Sequence, residues 1–146
     1  MVTIDFLTEE NIDSLLKLEN ECFSSPWTKA MFLGDLRNPN TCYFAAFDGG
    51  EVVGYAGMWL SVDEGQITNI AVSENYRRRK IAGNLIKHLC DECAKRGLSL
   101  ITLEVRESNT AAVSLYEKSG FEKVGLRKNY YKNPKEDALL MTKLLS

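Results

Sequence analysis

Four consecutive cations, Arg77, Arg78, Arg79 and Lys80, stand in the stretch ITNIAVSENYRRRKIAGNLIKHL, where an apolar run hands over to a helical pattern. A helix amino end already carries partial positive charge from its unpaired N–H groups, so cations there are mildly unfavourable unless an anion sits among them. A strand, a turn and a helix start with cations in the turn offer backbone N–H groups, the positive dipole end and side-chain charge together. That set suits a pyrophosphate better than a lone carboxylate. On charge alone, the same run reads equally as a solvated surface knot. Further along, Glu104 interrupts LITLEV on the face it shares with Thr102, opposite Ile101, Leu103 and Val105. Near the carboxyl end of a strand a glutamate is placed to deprotonate an ammonium, directly or through water; the plain alternative is a solvent-facing strand residue. Asn109 and Tyr116 are seven residues apart and so share one helix face, with Ala112 and Val113 between them. By spacing alone Tyr116 reads first as a core aromatic and second as a proton donor.

Other chemistries lack support. There is no Walker loop and no GxGxxG fingerprint, so the usual nucleotide cradles are missing. His88, the single histidine, sits mid-helix, and no GxSxG elbow exists for it to serve. His88, Cys90 and Cys93 splay around a helix axis, so no metal is assigned. Cys90 and Cys93 fall at helical spacing among Leu85, Ile86 and Leu89, which makes buried free thiols the expectation for the four cysteines.

The elements that must position these residues follow from periodicity and turn chemistry. TIDFL alternates as a strand. Thr8 with Glu9 and Glu10 opens a helix whose apolar side carries Ile12, Leu15, Leu16 and Phe23. Ser25 is expected to cap a second helix with Pro26 at its first position, ended by Asn38-Pro39. CYFAAF and EVVGYAGMWL flank Asp48-Gly49-Gly50 as a hairpin, and QITNIAV makes a third strand. A helix over Ile81–Arg96 stops at Gly97, LSLITLEV is a strand, and a helix opened by Ser108-Asn109 ends at Gly120. FEKVGL and DALLMTKLL close the chain as strands around a polar loop, Arg127–Glu136. The order β-α-α-β-β-β-α-β-α-β-β predicts one α/β domain over residues 1–146, a mixed sheet with helices on both faces. No repeat or low-complexity tract interrupts it.

With 146 residues, a net charge of -2 and a pI near 5.5, the chain has no global attraction to nucleic acid or anionic lipid. No signal peptide or membrane span is present in MVTIDFLTEEN or beyond, which predicts a cytoplasmic protein without membrane or direct nucleic-acid partners.

NIAVSENYRRRKIAGNLIKHL resembles the acetyl-CoA motif of the GNAT acetyltransferases, a strand followed by Arg/Gln-x-x-Gly-x-Gly/Ala and a helix. LEVRESNTAAVSLYEKSGFEKVGLRKNYY, with SSPW near the start, is similar to the RimI-type ribosomal-protein-alanine N-acetyltransferases of that family over nearly the whole chain. The resemblance implies the GNAT fold, a mixed, mostly antiparallel sheet of about seven strands. It implies that Ile70, Ala71 and Val72 pair their backbone with the pantetheine arm of acetyl-CoA. Arg77 matches the motif's first position, and Arg78, Arg79, Lys80, Ile81, Ala82 and Gly83 would hold the pyrophosphate. Asn109 would contact the cosubstrate, and Glu104 and Tyr116 would act as base and acid in direct transfer to a protein N-terminal α-amine. Ser25, Pro26 and Trp27, with Asn129, Tyr130 and Tyr131 in the loop between the last strands, would flank the acceptor. The expected acceptor is the N-terminal alanine of a small-subunit ribosomal protein; the alternatives are other protein N-termini, a small amine, or a non-catalytic module binding coenzyme A or RNA. Lys80 departs from the motif, which has glycine there, and a lysine takes glycine's positive φ only at a cost.

Overall fold

The computed structural model describes residues 1–145. Strand β1 (Val2–Phe6) leads through a 3-10 turn (Glu9–Asn11) into α1 (Ile12–Cys22) and α2 (Lys29–Leu36). Strands β2 (Thr41–Asp48), β3 (Glu51–Leu60) and β4 (Glu64–Val72) follow. Then come a second 3-10 turn (Glu74–Tyr76), α3 (Ile81–Lys95), β5 (Leu100–Arg106), α4 (Thr110–Lys118), β6 (Glu122–Lys132) and β7 (Lys135–Leu144). The strands form one seven-stranded sheet in the order β1-β2-β3-β4-β5-β7-β6. Every neighbouring pair is antiparallel except β4 and β5. This is the expected mixed sheet with helices on both faces.

Apolar residues decide which helix covers which face. Leu85, Ile86, Leu89 and Cys93 of α3, all fully buried, pack on Met58, Ile101, Leu103 and Met141. On the other face Leu15 and Leu18 of α1 and Phe32 of α2 pack on Tyr43 and Tyr55. The strict alternation of β5 sends Ile101, Leu103 and Val105 toward α3 and turns Thr102 and Glu104 to the opposite side. Because α1 and α2 lie chiefly on β2, β3 and β4, that side of β5 is left outside their cover. The hairpin between β2 and β3 turns on Gly49 and Gly50, at φ 59° and 85°, as a two-residue turn with both φ positive requires. Cys42, Cys90 and Cys93 are buried free thiols, and Cys22 is a half-buried one.

Three expectations need correction. The second helix is capped by Thr28, whose Oγ1 accepts from the Met31 N–H at 3.3 Å, so Ser25 and Pro26 lie in the linker before it. A hydroxyl with the right local geometry won over the Ser-Pro pattern upstream. Phe23 follows α1 instead of lining it and is exposed, while Leu18 and Glu19 take the buried positions. Most of the expected loop Arg127–Glu136 is strand: β6 and β7 pair as far as Lys132 and Lys135 around a tight turn at Asn133-Pro134. Tyr130 and Tyr131 therefore sit in β6 and not in a loop. β6 is an edge strand exposed along nearly its whole length, so it carries no apolar alternation to reveal it. Asn129, at φ 56°, marks the irregularity where Arg127 pairs with Ala138 but Tyr131 pairs with Glu136.

Gly57 is required by close approach, since a Cβ there would stand 2.3 Å from Cε2 of the Tyr43 ring. That ring is fixed, being buried with its hydroxyl donating to Asp35 at 2.6 Å. Gly57→Ala should destabilise the fold by about 1–3 kcal/mol in urea denaturation, with the sheet retained by circular dichroism.

Candidate active site

The site originates where β4 and β5 part. They are paired only over Glu64–Gln66 against Leu100–Thr102. Beyond Gln66, β4 stays on β3 up to Val72 while β5 continues along β7. A bulge at Thr68, where Gly57 pairs with Asn69 but Met58 with Ile67, adds to the local bend. The result is a fork in which one backbone edge of Asn69–Val72 has no strand beside it.

The cationic turn closes the fork at its wide end. Ser73 N–H donates to Val53 O at 2.8 Å, and Arg77 Nε donates back to Val72 O at 3.2 Å. Arg78 and Lys80 both take left-handed backbone, at φ 64° and 62°, and Lys80 is the N-cap of α3. Lysine thus occupies the glycine conformation that the motif demands. The first recorded helical bond of α3 runs from Asn84 N–H to Lys80 O at 3.1 Å, so the amides of Ile81, Ala82 and Gly83 open the helix without intrahelical acceptors. The amides of Arg78, Arg79 and Lys80 donate to no backbone carbonyl among the described residues. No atom lies within 4 Å of a Cβ built on Gly83, which leaves that turn open on its outer side.

These amides border a cleft of about 750 Å³, whose walls include Val72, Arg77, Arg78, Lys80, Ala82, Gly83, Leu115 and Lys143. A smaller cavity of about 300 Å³ shares Val72, Arg77, Ala82 and Leu115 with it and extends past Cys22, Phe23, Ile70 and Ala71 to Tyr116. Together they make a trough from the cationic turn to the phenol. Burial, with a smaller contribution from Tyr131, pushes the Tyr116 hydroxyl up to about 12. The proton therefore stays in place at neutral pH, so the phenol keeps an O–H that it can donate.

Among the expected residues, Ile70, Ala71, Val72, Arg77, Arg78, Lys80, Ile81, Ala82, Gly83 and Tyr116 meet along this trough. Arg79 does not line it and stacks over the Tyr76 ring at 4.9 Å. Asn109 is the N-cap of α4, its Oδ1 accepting from Ala112 N–H at 3.2 Å, and borders neither cavity. Glu104 lies on the opposite side of the sheet from α3, with a side chain only 10% exposed. Its Oε1 accepts from Gln66 Nε2 at 3.3 Å. Arg127 Nε stands 3.1 Å from Oε2, an ion pair off the line of a hydrogen bond, so Oε2 is buried without a hydrogen-bond partner. Burial pushes the Tyr131 hydroxyl up, with smaller contributions from Tyr130 and Glu104. The Arg106 guanidinium covers the Tyr131 ring at 4.2 Å, and Tyr130 meets it edge-on at 5.1 Å. Trp27 N–H donates to Glu19 Oε2 at 3.0 Å and its ring packs on Phe32 at 5.3 Å, while Ser25 stays exposed beside the half-buried Pro26.

Sequence reasoning missed several wall residues. Leu115 shares α4 with Tyr116 and Ser119 is the C-cap of that helix, so both could have been found from the helix's spacing. Lys143, a wall residue whose Nζ donates to Ser119 O at 2.8 Å, and Gln66, which lines neither cavity but donates to Glu104, carry no signal in the sequence, since each is one polar residue in a strand.

Lys80→Gly removes a left-handed β-carbon worth about 1–2 kcal/mol, against roughly 0.5–1 kcal/mol of added chain entropy in the unfolded state. The variant should be more stable by up to about 1 kcal/mol in denaturant titration. A loss of stability would show that the lysine side chain contributes contacts of its own.

The Acetyltransferase (GNAT) family model matches residues 12–121. The [Ribosomal protein bS18]-alanine N-acetyltransferase of Escherichia coli (strain K12) is 34% identical over 143 residues, 97% of this chain and 96% of that protein. The N-alpha-acetyltransferase RimI of Mycobacterium tuberculosis (strain ATCC 25618 / H37Rv) is 37% identical over 146 residues, 96% of this chain and 90% of that protein. The crystal structure of the ribosomal-protein-S18-alanine N-acetyltransferase from Escherichia coli superposes with a TM-score of 0.90 at 33% identity, covering 100% of this chain and 95% of that one. The forked sheet, the amide-lined turn and these likenesses carry one conclusion: the chain belongs to the GNAT acetyltransferase family.

Proposed function

We propose that the chain transfers the acetyl group of acetyl-CoA to the N-terminal α-amine of a protein, the N-terminal alanine of a small-subunit ribosomal protein, in the cytoplasm. The observation that carries this reading is the trough running from six backbone amides with no helical or strand partner to a buried, protonated phenol. The activity for which the Escherichia coli relative is named, a protein matched over 97% of this chain and 96% of its own length, supplies the acceptor.

Acetyl-CoA, the second substrate, supplies an activated thioester. The backbone of Ile70, Ala71 and Val72, lacking a strand partner on the fork side, is available to an extended pantetheine arm as if to an added strand. The amides from Arg78 to Gly83 and the charges of Arg77, Arg78 and Lys80 suit the pyrophosphate. Asn109 keeps its Nδ2 for a cosubstrate contact, since Oδ1 is committed to capping. Glu104 removes a proton from the acceptor ammonium, the amine nitrogen forms the new bond to the acetyl carbon, and a strand N–H polarises the carbonyl. As the carbon–sulfur bond breaks, Tyr116 gives its proton to the thiolate, and no covalent intermediate on the protein is needed. Ser25, Pro26 and Trp27 on one side and Tyr130 and Tyr131 on the other border the acceptor path.

Glu104→Gln should slow turnover by about 100- to 10,000-fold while acetyl-CoA still binds in calorimetric titration. Turnover within a few-fold of the parent would remove Glu104 as base. Tyr116→Phe keeps the ring and deletes the donor. With the hydroxyl at about 12, its slowing relative to the parent should be constant between about pH 7 and 9, and a deficit that fades over this range would assign the proton to another group. Peptides with a free N-terminal Ala should be acetylated faster than N-blocked peptides carrying lysine, as mass spectrometry of the products would read. Equal rates would point to a broader amine acetyltransferase.

A further inference from the structure

The acceptor side of the fork holds a polar group that neither the fold nor the mechanism above employs. Asn69 lies on β4 three residues beyond Gln66 and opposite Gly57, just past the point where β4 leaves β5. Tyr55, on the neighbouring strand, donates its hydroxyl proton to Glu19 Oε1 at 2.6 Å and so has none left for Asn69. Oδ1 is buried and has no hydrogen-bond partner. Among the described residues one other buried side-chain oxygen shares that condition, Glu104 Oε2. Glu104 is tied through Oε1 to Gln66, so the two orphan acceptors stand on the two arms of one fork. Each costs about 1–3 kcal/mol when left unpaired, and folded proteins keep few of them.

We infer that Asn69 Oδ1 and Glu104 Oε2 together receive the primary ammonium of the acceptor, Asn69 holding one N–H while Glu104 holds another. The inference rests on the amine-acetylation reading above and adds a substrate-binding residue to it. An ammonium is the complement of this pair, because it carries three donors and no acceptor. A neutral carboxamide orients the nitrogen without competing with Glu104 for the proton. Arg127, more than half exposed, is the group that the ammonium replaces beside Oε2.

The test compares wild type, Asn69→Ala and Asn69→Asp in acetyl transfer to a peptide with a free N-terminal Ala, varying peptide and acetyl-CoA separately. A des-amino peptide, with hydrogen in place of the ammonium, serves as competitive inhibitor. Loss of one hydrogen bond to a charged group should raise the peptide KM about tenfold in Asn69→Ala. The KM for acetyl-CoA and the Ki of the des-amino peptide should stay as in wild type, and the Tm should not fall, since the substitution removes an unpaired buried oxygen. Asn69→Asp, which retains an acceptor oxygen, should return the peptide KM to within about threefold of wild type. Should Asn69→Ala not fold, Asn69→Ser makes the same comparison. An unchanged peptide KM, an equal loss of des-amino peptide affinity, or no recovery in Asn69→Asp would each overturn the assignment. If wild type acetylates only lysine side chains or small amines, the α-amine reading falls, and the same comparison on that amine still decides Asn69. A wild-type chain that acetylates no amine overturns both.

Discussion

The site depends on one interrupted pairing. β4 and β5 are neighbours for three residue pairs and then separate, although each continues as a strand. Had the ladder run on, the backbone of Asn69–Val72 would be satisfied and the fork closed. Two independent supports hold the arms apart: β3 carries β4 past its bulge at Thr68, and β7 pairs with all of β5. Core packing fixes the divergence, because Ile67 on one arm and Ile101 and Leu103 on the other are buried in one cluster with α3. An open strand edge in the middle of a sheet is costly unless something completes it, and an extended chain does so with the same bonds a strand would use.

Charge is arranged locally on a chain that is mildly acidic overall. The turn sets Arg78 and Lys80 in left-handed backbone, with Lys80 as the N-cap of α3. Such conformations cost energy and persist where surrounding structure over-determines them. Across the sheet, Glu104 is nearly enclosed yet short of one hydrogen bond, while Tyr116 is protonated by burial. In the proposed reaction the group that must take a proton and the group that must give one thus come from opposite faces of the sheet.

Much of this was legible in the residues. The order of the strands and major helices was readable because each has an apolar period and a turn or cap signal, as with Gly49-Gly50 and Gly97. The cationic turn was readable because four cations at a helix start conflict with the dipole. Three things were not. The edge strand β6 has solvent on nearly all its length, so polar residues such as Arg127 and Lys128 looked like loop. The true cap Thr28 was hidden by the Ser-Pro pattern upstream of it. The departure of β4 from β5 has no local signature, since it is decided by which strand each arm prefers over long separations. For the same reason Gln66, Asn69 and Lys143 could be recognised only once the fork existed.

Acetylation of a protein α-amine at this site would be read by intact-mass analysis of ribosomal proteins. Small-subunit proteins would be compared between cells that make this chain and cells in which its gene is deleted. With the proposed activity, one protein with an N-terminal alanine loses a single acetyl group in the deletion and regains it when the gene is restored. Identical masses for every small-subunit protein in the two cells would contradict it.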